Sequence, residues 1–316
     1  MLSELIQGKL KNWIWFDLIF NSLFKMHNYV IQKIRWWLWN QMFQYAFVKA
    51  LSLRNKVEYK LDISEYKTYF RPFELEIFDI EKKYALTKEL PFYERIKSKN
   101  RVYWYTNNVY LKPFFRKRNK KHFFEREWIF ENDFLNLKEW YFEGYFQNEN
   151  YFKDFESDIR KDFTFSNELS KKNLDLLKSL EWKNIISVHI RRWDYLNNPD
   201  FHPICSLDYY NKAIKINIYD RVKNHVFLFF SDDSERVKEN FKWDNYYFVD
   251  WNTWKDSWQD MALMSKCKHN IIANSSFSWW WAWLNNNPDK IIIAPKLWSH
   301  KKTYNSNCVP TNWLQF

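Results

Sequence analysis

The chain has 316 residues, 49 basic against 38 acidic side chains for a formal charge of +11, and hydrophobic and charged fractions of 46% and 28%. These values exclude a disordered chain and suit two domains of roughly 150 residues each. The absence of any apolar run of about 20 residues excludes a spanning helix by hydropathy. Cys205, Cys267 and Cys308 lack the paired spacing of a zinc site or a disulfide framework, which fits a reducing cytoplasm. The positive charge suits an anionic partner: nucleic acid, a phosphorylated small molecule or an anionic membrane surface. A diffuse excess of lysine describes a solvated surface equally well.

Residues 1–28 read as an N-terminal extension without a signal-peptide cleavage pattern. The first clear strand is Tyr29-Val-Ile-Gln-Lys-Ile-Arg35, followed by the turn Trp36-Trp-Leu-Trp39. A helix begins at about Asn40, with Met42, Phe43, Ala46, Phe47 and Ala50 at helical spacing. Val57 to Ile63 is strand-like. Residues 65–165 are rich in aromatics and charges, and their pattern predicts short helices with no strong period. The second half alternates more clearly. Strands are expected at Asn184 to Arg191, His225 to Phe230, Tyr246 to Val249, His269 to Ala273 and Lys290 to Ala294. Helices are expected from Ser206, as N-cap, to Val222, from Asp256 to Lys266, and after Asn274. Strands alternating with helices of 10–15 residues indicate a parallel, doubly wound α/β sheet. The polar stretch 160–182 marks the boundary, dividing the chain into 29–165 and 166–316.

In such a sheet the C-terminal strand ends form the ligand crevice, and four of them are polar. One is His189-Ile-Arg-Arg-Trp-Asp-Tyr195, where strand alternation puts His189 and Arg191 on one face and Arg192 on the other. Arginine suits bidentate phosphate recognition, although a surface ion pair would use the same residues. The others are Ser231-Asp-Asp233, Asp250-Trp-Asn252 and Asn274-Ser-Ser-Phe277. At Asn274 a strand turns into a helix whose free N–H groups, with the hydroxyls of Ser275, Ser276 and Ser278, favour an anion. The bland reading is a helix cap followed by an aromatic packing stripe. An arginine pair beside a helix start suits a diphosphate better than nucleic acid, for which only Arg116-Lys-Arg-Asn-Lys-Lys121 forms a basic cluster.

Seven ordered segments carry a family resemblance: Asn40-Gln-Met-Phe-Gln-Tyr-Ala46, Glu143-Gly-Tyr-Phe-Gln147, His189-Ile-Arg-Arg-x-Asp-Tyr195 and Phe201-His-Pro-x-Cys-Ser-Leu-Asp-Tyr-Tyr210, then Phe230-Ser-Asp-Asp233, Asp260-Met-x-Leu-Met264 and Ile271-Ile-Ala-Asn-Ser-Ser-Phe-Ser-Trp-Trp280. On these the chain resembles the bacterial α-1,2-fucosyltransferases of glycosyltransferase family 11, from Ile31 to about Trp313. The resemblance implies a GT-B-like α/β fold of two Rossmann-like domains, an N-terminal acceptor domain and a C-terminal domain binding GDP-fucose. It implies inverting transfer of L-fucose to the 2-hydroxyl of a galactose-terminated glycan, with no metal and no cofactor. By the same resemblance Arg191 holds the donor diphosphate, and His189 and Arg192 support its loop. Asn274, Ser275, Ser276 and Phe277 border the phosphates, Asp232 and Asp233 lie near the nucleoside, and Asn40 and Gln41 open the opposite side of the cleft. Asp194, His202 and Glu143 are alternative bases for the attacking hydroxyl. A surface-polysaccharide enzyme of this kind is expected in the cytoplasm, peripheral at the inner face of the membrane. The alternatives are a fucosyltransferase of another linkage, an inactive sugar-nucleotide-binding protein and, most distantly, a nucleic-acid binder.

One departure stands out. Average usage of about 7% predicts roughly 22 glycines; the chain has two, Gly8 and Gly144, and 20 tryptophans. The family pattern has glycine where this chain has Trp36, Trp37, Trp39, Trp193, Trp254 and Trp281. Drift would not choose one residue type at all six. We read them as glycines specified by UGA codons and rendered as tryptophan, with Trp13, Trp15, Trp104, Trp182 and Trp243 open to the same reading. UGG at the six codons would refute it. Met26 is then the expected start, with the preceding residues as upstream readthrough or as an amphipathic element lying on the membrane.

Overall fold

The structure is a computed structural model that describes residues 29–67, 69, 71–91, 94–95, 121–126, 129–196, 200, 202–219, 221–301 and 308–316, without the side chains of Phe134, Trp193, Asp194, Ile216, Asn217, Tyr219 and Trp254. The extension 1–28, the basic tract at 116–120, Trp104 and Phe201 lie outside the described residues, as do the side chains of Asp194, Trp193 and Trp254.

Near-continuous apolar runs such as Asn184–Ile190 and His225–Ser231 form strands buried on both faces, as parallel sheets require. In the first half β1 (Tyr29–Lys33), β2 (Glu58–Asp62), β3 (His122–Phe124) and β4 (Tyr141–Glu143) make a parallel sheet in the order β2-β1-β4-β3. The helix α1 (Leu38–Asn55) follows β1. It ends where Lys56 turns left-handed at φ 55° and donates its N–H to Ser52 O. The stretch 65–165, expected to hold short helices, holds short 3-10 turns and the α-helix Glu156–Asp162, together with the two three-residue strands. Two short helices, α2 (Glu156–Asp162) and α3 (Lys171–Ser179), lead into the second half.

There the parallel sheet runs β10-β9-β8-β5-β6-β7. Its strands are β5 (Asn184–Ile190), β6 (His225–Ser231), β7 (Tyr246–Val249), β8 (His269–Ile271), β9 (Ile292–Ala294) and β10 (Leu314–Gln315). The intervening helices are α4 (Trp193–Leu196), α5 (Leu207–Lys212), α6 (Ser234–Asn240), α7 (Ser257–Lys266) and α8 (Ser276–Leu284). Ser206 caps α5 as expected, its hydroxyl accepting from Tyr209 N at 3.2 Å. Beyond Lys212 the predicted helix continues as a π-helix, Ala213–Tyr219. The α/β class with parallel sheets is as the sequence indicates.

Strand alternation sorts the second sheet into two cores. Ile185, Val226, Leu228 and Phe230 face α1 and α8, while Ile186, Val188, Phe227 and Phe229 face α5 and α6. The first core is continuous with that of the N-terminal sheet. Phe43 of α1 packs at 4.7 Å from Trp279 and 4.6 Å from Trp280, and Trp280 Nε1 donates to Trp39 O at 3.0 Å. Trp279, Trp280 and Trp283 are thus packing residues that join the two sheets, each at most 5% exposed.

Gly144 shows what a genuine glycine does in this fold. A Cβ there would lie 2.4 Å from Glu125 Cβ and 2.8 Å from its Oε2. That oxygen accepts the amides of Tyr145 and Phe146 at 2.6 and 2.9 Å, so it cannot withdraw cheaply. Gly144→Ala is expected to destabilise the fold by about 1–3 kcal/mol, read as an earlier urea midpoint. An unchanged midpoint would show that the β4 turn is looser than described.

Candidate functional site

In the second sheet β5 lies between β6 and β8. The chain winds from β5 outward to β7 and then returns to β8 on the other side. The order reverses between β5 and β8, and an open α/β sheet takes its ligand outside the carboxyl ends at such a switch point. Just past the last paired residues, Val188 and Ile271, the rings of His189 and Phe277 lie 5.1 Å apart. The predicted arginine strand end and the predicted helix start therefore meet.

The strand end is built as alternation requires. His189 is 4% exposed, with its ring 5.1 Å from that of Phe277. Burial, then the neighbouring Arg191, pushes its pKa down to about 3, so the imidazole is neutral. Its Nδ1 has no hydrogen-bond partner among the described residues. Arg191 sits on this face. Arg192 lies on the other, lining a cavity of about 220 Å³ with Cys205, Tyr210, Asp233 and Arg236. The β6 carboxylates, expected near a nucleoside, meet the arginines. Asp232 Oδ2 is 3.4 Å from Arg191 Nε, Asp233 Oδ2 is 3.2 Å from Arg192 Nε, and Asp232 Oδ1 accepts from Arg192 N at 3.0 Å.

The helix start is more divided than its sequence suggests. Ser275 is the N-cap residue of α8, yet its side chain accepts no hydrogen bond from the helix. The orphan first-turn amides are therefore not capped by it and keep their attraction for an anion. Ser276 is half-buried at the first helical position, and Phe277 reaches across the crevice to Trp39 at 5.5 Å. Two residues face inward instead. Ser278 Oγ bonds Ala273 O and Ser275 O and is wholly buried, which removes it from the expected donor cluster. Asn274 turns its amide to Pro203 O at 2.7 Å and Trp298 O at 3.0 Å, tying loops together behind the helix. Asn274 O accepts from Tyr195 OH at 2.8 Å, and His202 stacks on Tyr195 at 4.4 Å, so His202 borders the site.

On the N-terminal side Asn40 and Gln41 brace the loop after β1 from behind. Asn40 Oδ1 accepts from Gln147 Nε2 at 2.7 Å. Gln41 Nε2 donates to Trp36 O at 2.8 Å, and its Oε1 accepts from Glu74 N at 3.0 Å. Both are buried. Glu143 is a weak candidate base. Burial alone would raise its pKa, but Lys33, His122 and Arg35 outweigh burial and hold it well below the ordinary range. Arg35 Nη1 bonds it at 2.7 Å. Glu94, His122 and Glu143 could together hold a metal among the described residues, but Lys33 Nζ already sits 2.6 Å from Glu94 Oε2. Asp260, quoted above only within a motif, lies one turn into α7. Burial raises its pKa to about 7 against the Asn252 amide that donates to it at 2.8 Å.

Trp36, Trp37, Trp39 and Trp281, which the resemblance reads as glycine positions, crowd this region. Trp36 has φ 66°, a left-handed conformation that costs a non-glycine residue about 1–2 kcal/mol. Trp37 stacks on Trp39 at 5.1 Å under the Arg71 guanidinium at 3.3 Å. Trp281 is 1% exposed and its Nε1 has no hydrogen-bond partner among the described residues, a burial that costs about 1–3 kcal/mol.

The chain is 34% identical over 298 residues to an α-1,2-colitosyltransferase of Escherichia coli, covering 90% of this chain and 98% of that protein. It is 36% identical over 284 residues to the O-antigen biosynthesis glycosyltransferase WbnK of Escherichia coli, covering 83% and 92%. The solved fucosyltransferase NodZ from Bradyrhizobium aligns at 16% identity with a TM-score of 0.48, covering 81% of this chain and 92% of that one. The description of Glycosyl transferase family 11 matches residues 3–315, reaching into the segment expected to precede the family region. No helix among the described residues is long and apolar enough to cross a membrane. The chain belongs to glycosyltransferase family 11.

Proposed function

We propose that this protein transfers a 6-deoxyhexose from a GDP-activated donor to the 2-hydroxyl of a galactose-terminated glycan, with inversion and without a metal, in O-antigen synthesis. The observation that carries the reading is the meeting of the His189–Arg191 strand end with the start of α8, where the rings of His189 and Phe277 lie 5.1 Å apart at the β5–β8 switch point. As the sugar–phosphate bond breaks, negative charge grows on the departing diphosphate. A fixed guanidinium and helix amides aimed there stabilise that charge without reorganising. Asp232 holds the guanidinium, Phe277 and the neutral His189 wall the crevice, and His202 and Asp194 are the candidate acceptors of the hydroxyl proton. The enzyme acts in the cytoplasm, at the inner membrane face where its glycan acceptor is built.

L-Fucose is our first donor. Colitose, which is fucose without its 3-hydroxyl, is the second, and the likeness to a colitosyltransferase over nearly that protein's whole length favours it. The two separate sharply if the site bonds that hydroxyl, because a buried partner left unpaired rejects the shorter donor strongly. We extend the proposal to the sequence itself: positions 36, 37, 39, 193, 254 and 281 are glycine in the working enzyme, and a chain with tryptophan there binds donor poorly or not at all. The test is GDP release from GDP-fucose and from GDP-colitose, with and without β-galactosides, by the glycine form. Galactoside-dependent release from either donor is expected. GDP binding with no galactoside-dependent release would instead mark an inactive sugar-nucleotide-binding protein.

A further inference from the structure

The first sheet has a switch point of its own. β1 lies between β2 and β4, and the chain passes from β2 on one side to β3 and β4 on the other. The order reverses between β1 and β4, so the crevice beyond their carboxyl ends is a second position for a ligand. Just past these strand ends stand Arg35, after β1, and Tyr145, after β4. Neither residue has a part in the donor site.

The indole of Trp36 fills this crevice. It stacks on Tyr145 with centroids 4.3 Å apart and planes 6° apart, and the Arg35 guanidinium lies 4.5 Å from its centre. The backbone does not depend on that indole. Trp36 O is held by Gln41 Nε2 at 2.8 Å and Tyr66 OH at 2.9 Å, and φ 66° is a glycine conformation. Glycine at 36 on the same backbone leaves an indole-sized slot. One wall is the phenol face of Tyr145. Another is Arg35, held between Glu65 at 2.9 Å and Glu143 at 2.7 Å. Tyr145 and Arg35 both touch the indole, and Glu65, half-buried, stands beside Arg35.

An aromatic face beside a carboxylate-flanked guanidinium complements a pyranose, which has an apolar C–H face and a rim of hydroxyls that donate and accept. A phosphate would meet Glu65 and Glu143 around the same arginine and be repelled. The position suits the second substrate. Trp37 and Trp39 follow in the same loop, and Trp39 touches Phe277 at the donor crevice, so one short loop joins the two crevices.

We propose that the Trp36 slot is the acceptor subsite, with the acceptor's pyranose ring stacked on Tyr145 and its hydroxyls bonded by Arg35 and Glu65. This rests on the transferase reading above. The test is saturation-transfer NMR of methyl β-D-galactopyranoside with the six-glycine form and with the full chain carrying only Trp36→Gly, each also titrated with GDP. Transfer to the galactoside is expected in both. Added to either, Tyr145→Leu should weaken binding about tenfold and Tyr145→Phe should keep it, with GDP affinity unchanged in both variants. Undiminished transfer with Tyr145→Leu, or no transfer in either glycine-bearing chain while GDP still binds, would overturn the subsite. Galactoside contact through Tyr145 without any GDP binding would support the subsite and refute the donor reading.

Discussion

The chain with glycine at positions 36, 37, 39, 193, 254 and 281 is expected to bind GDP and turn over, while the tryptophan chain is expected to show no turnover. Three terms set the size of this effect. A left-handed tryptophan at position 36 costs about 1–2 kcal/mol. The buried, unpartnered Nε1 of Trp281 costs about 1–3 kcal/mol. The steric term acts on function directly: Trp39 touches Phe277 at the donor crevice, and Trp36 fills the crevice beyond β1 and β4. Glycine in the middle of α8 lowers its helix propensity by about 1 kcal/mol, and a small residue there lets α8 pack closer to the sheet. Matched GDP titrations and turnover assays on the two forms measure the difference. Equal activity of the two forms would show that the indoles are tolerated and the glycine reading is wrong.

Arg191→Ala in the glycine form is expected to lower kcat/KM by about 10²–10³, the usual loss when a group aimed at developing charge is removed. Stability should change little, since the side chain is 22% exposed and its ion pair with Asp232 spans 3.4 Å. Arg191→Lys should recover only part of the loss, because an ammonium cannot offer the planar fork of a guanidinium. Arg192→Ala is the comparison: Arg192 lines the cavity on the far face of β5 and supports the loop from there, so its loss should cost less than that of Arg191. Steady-state kinetics beside thermal melts separate the outcomes. A kcat/KM within about threefold of the parent for Arg191→Ala would remove Arg191 from the reaction.

The second sheet was legible because each of its long strands is an apolar run ending in polar residues, and β5 and β6 alternate cleanly between two cores. Alternation alone placed His189 with Arg191 and sent Arg192 to the other face. In the first sheet only β1, β2 and the helix between them were legible. β3 and β4 have three residues each, too short to show a period, and β4 finds its place by pairing with β1 more than a hundred residues away. The same brevity hid the crevice between Arg35 and Tyr145, although Tyr145 stands inside a segment singled out on resemblance. Asn274 and Ser278 read as ligand-facing because a polar residue at a helix start looks alike whether it meets solvent or buried carbonyls. The structure gives them carbonyls. Asn40 and Gln41 stand in the first turn of the helix after β1, with their side chains bonded to neighbouring loops, and Glu143 could not reveal from sequence that Lys33, Arg35 and His122 converge on it.

The most direct measurement is the structure of the product. The glycine form is incubated with GDP-fucose or GDP-colitose and a β-galactoside, and the disaccharide is solved by NMR. We expect an α-linked 6-deoxyhexose on O2 of galactose, the anomeric outcome of inversion from the β-linked donor. A linkage at another oxygen, a retained anomeric configuration, or no disaccharide from a protein that binds both substrates would contradict the account.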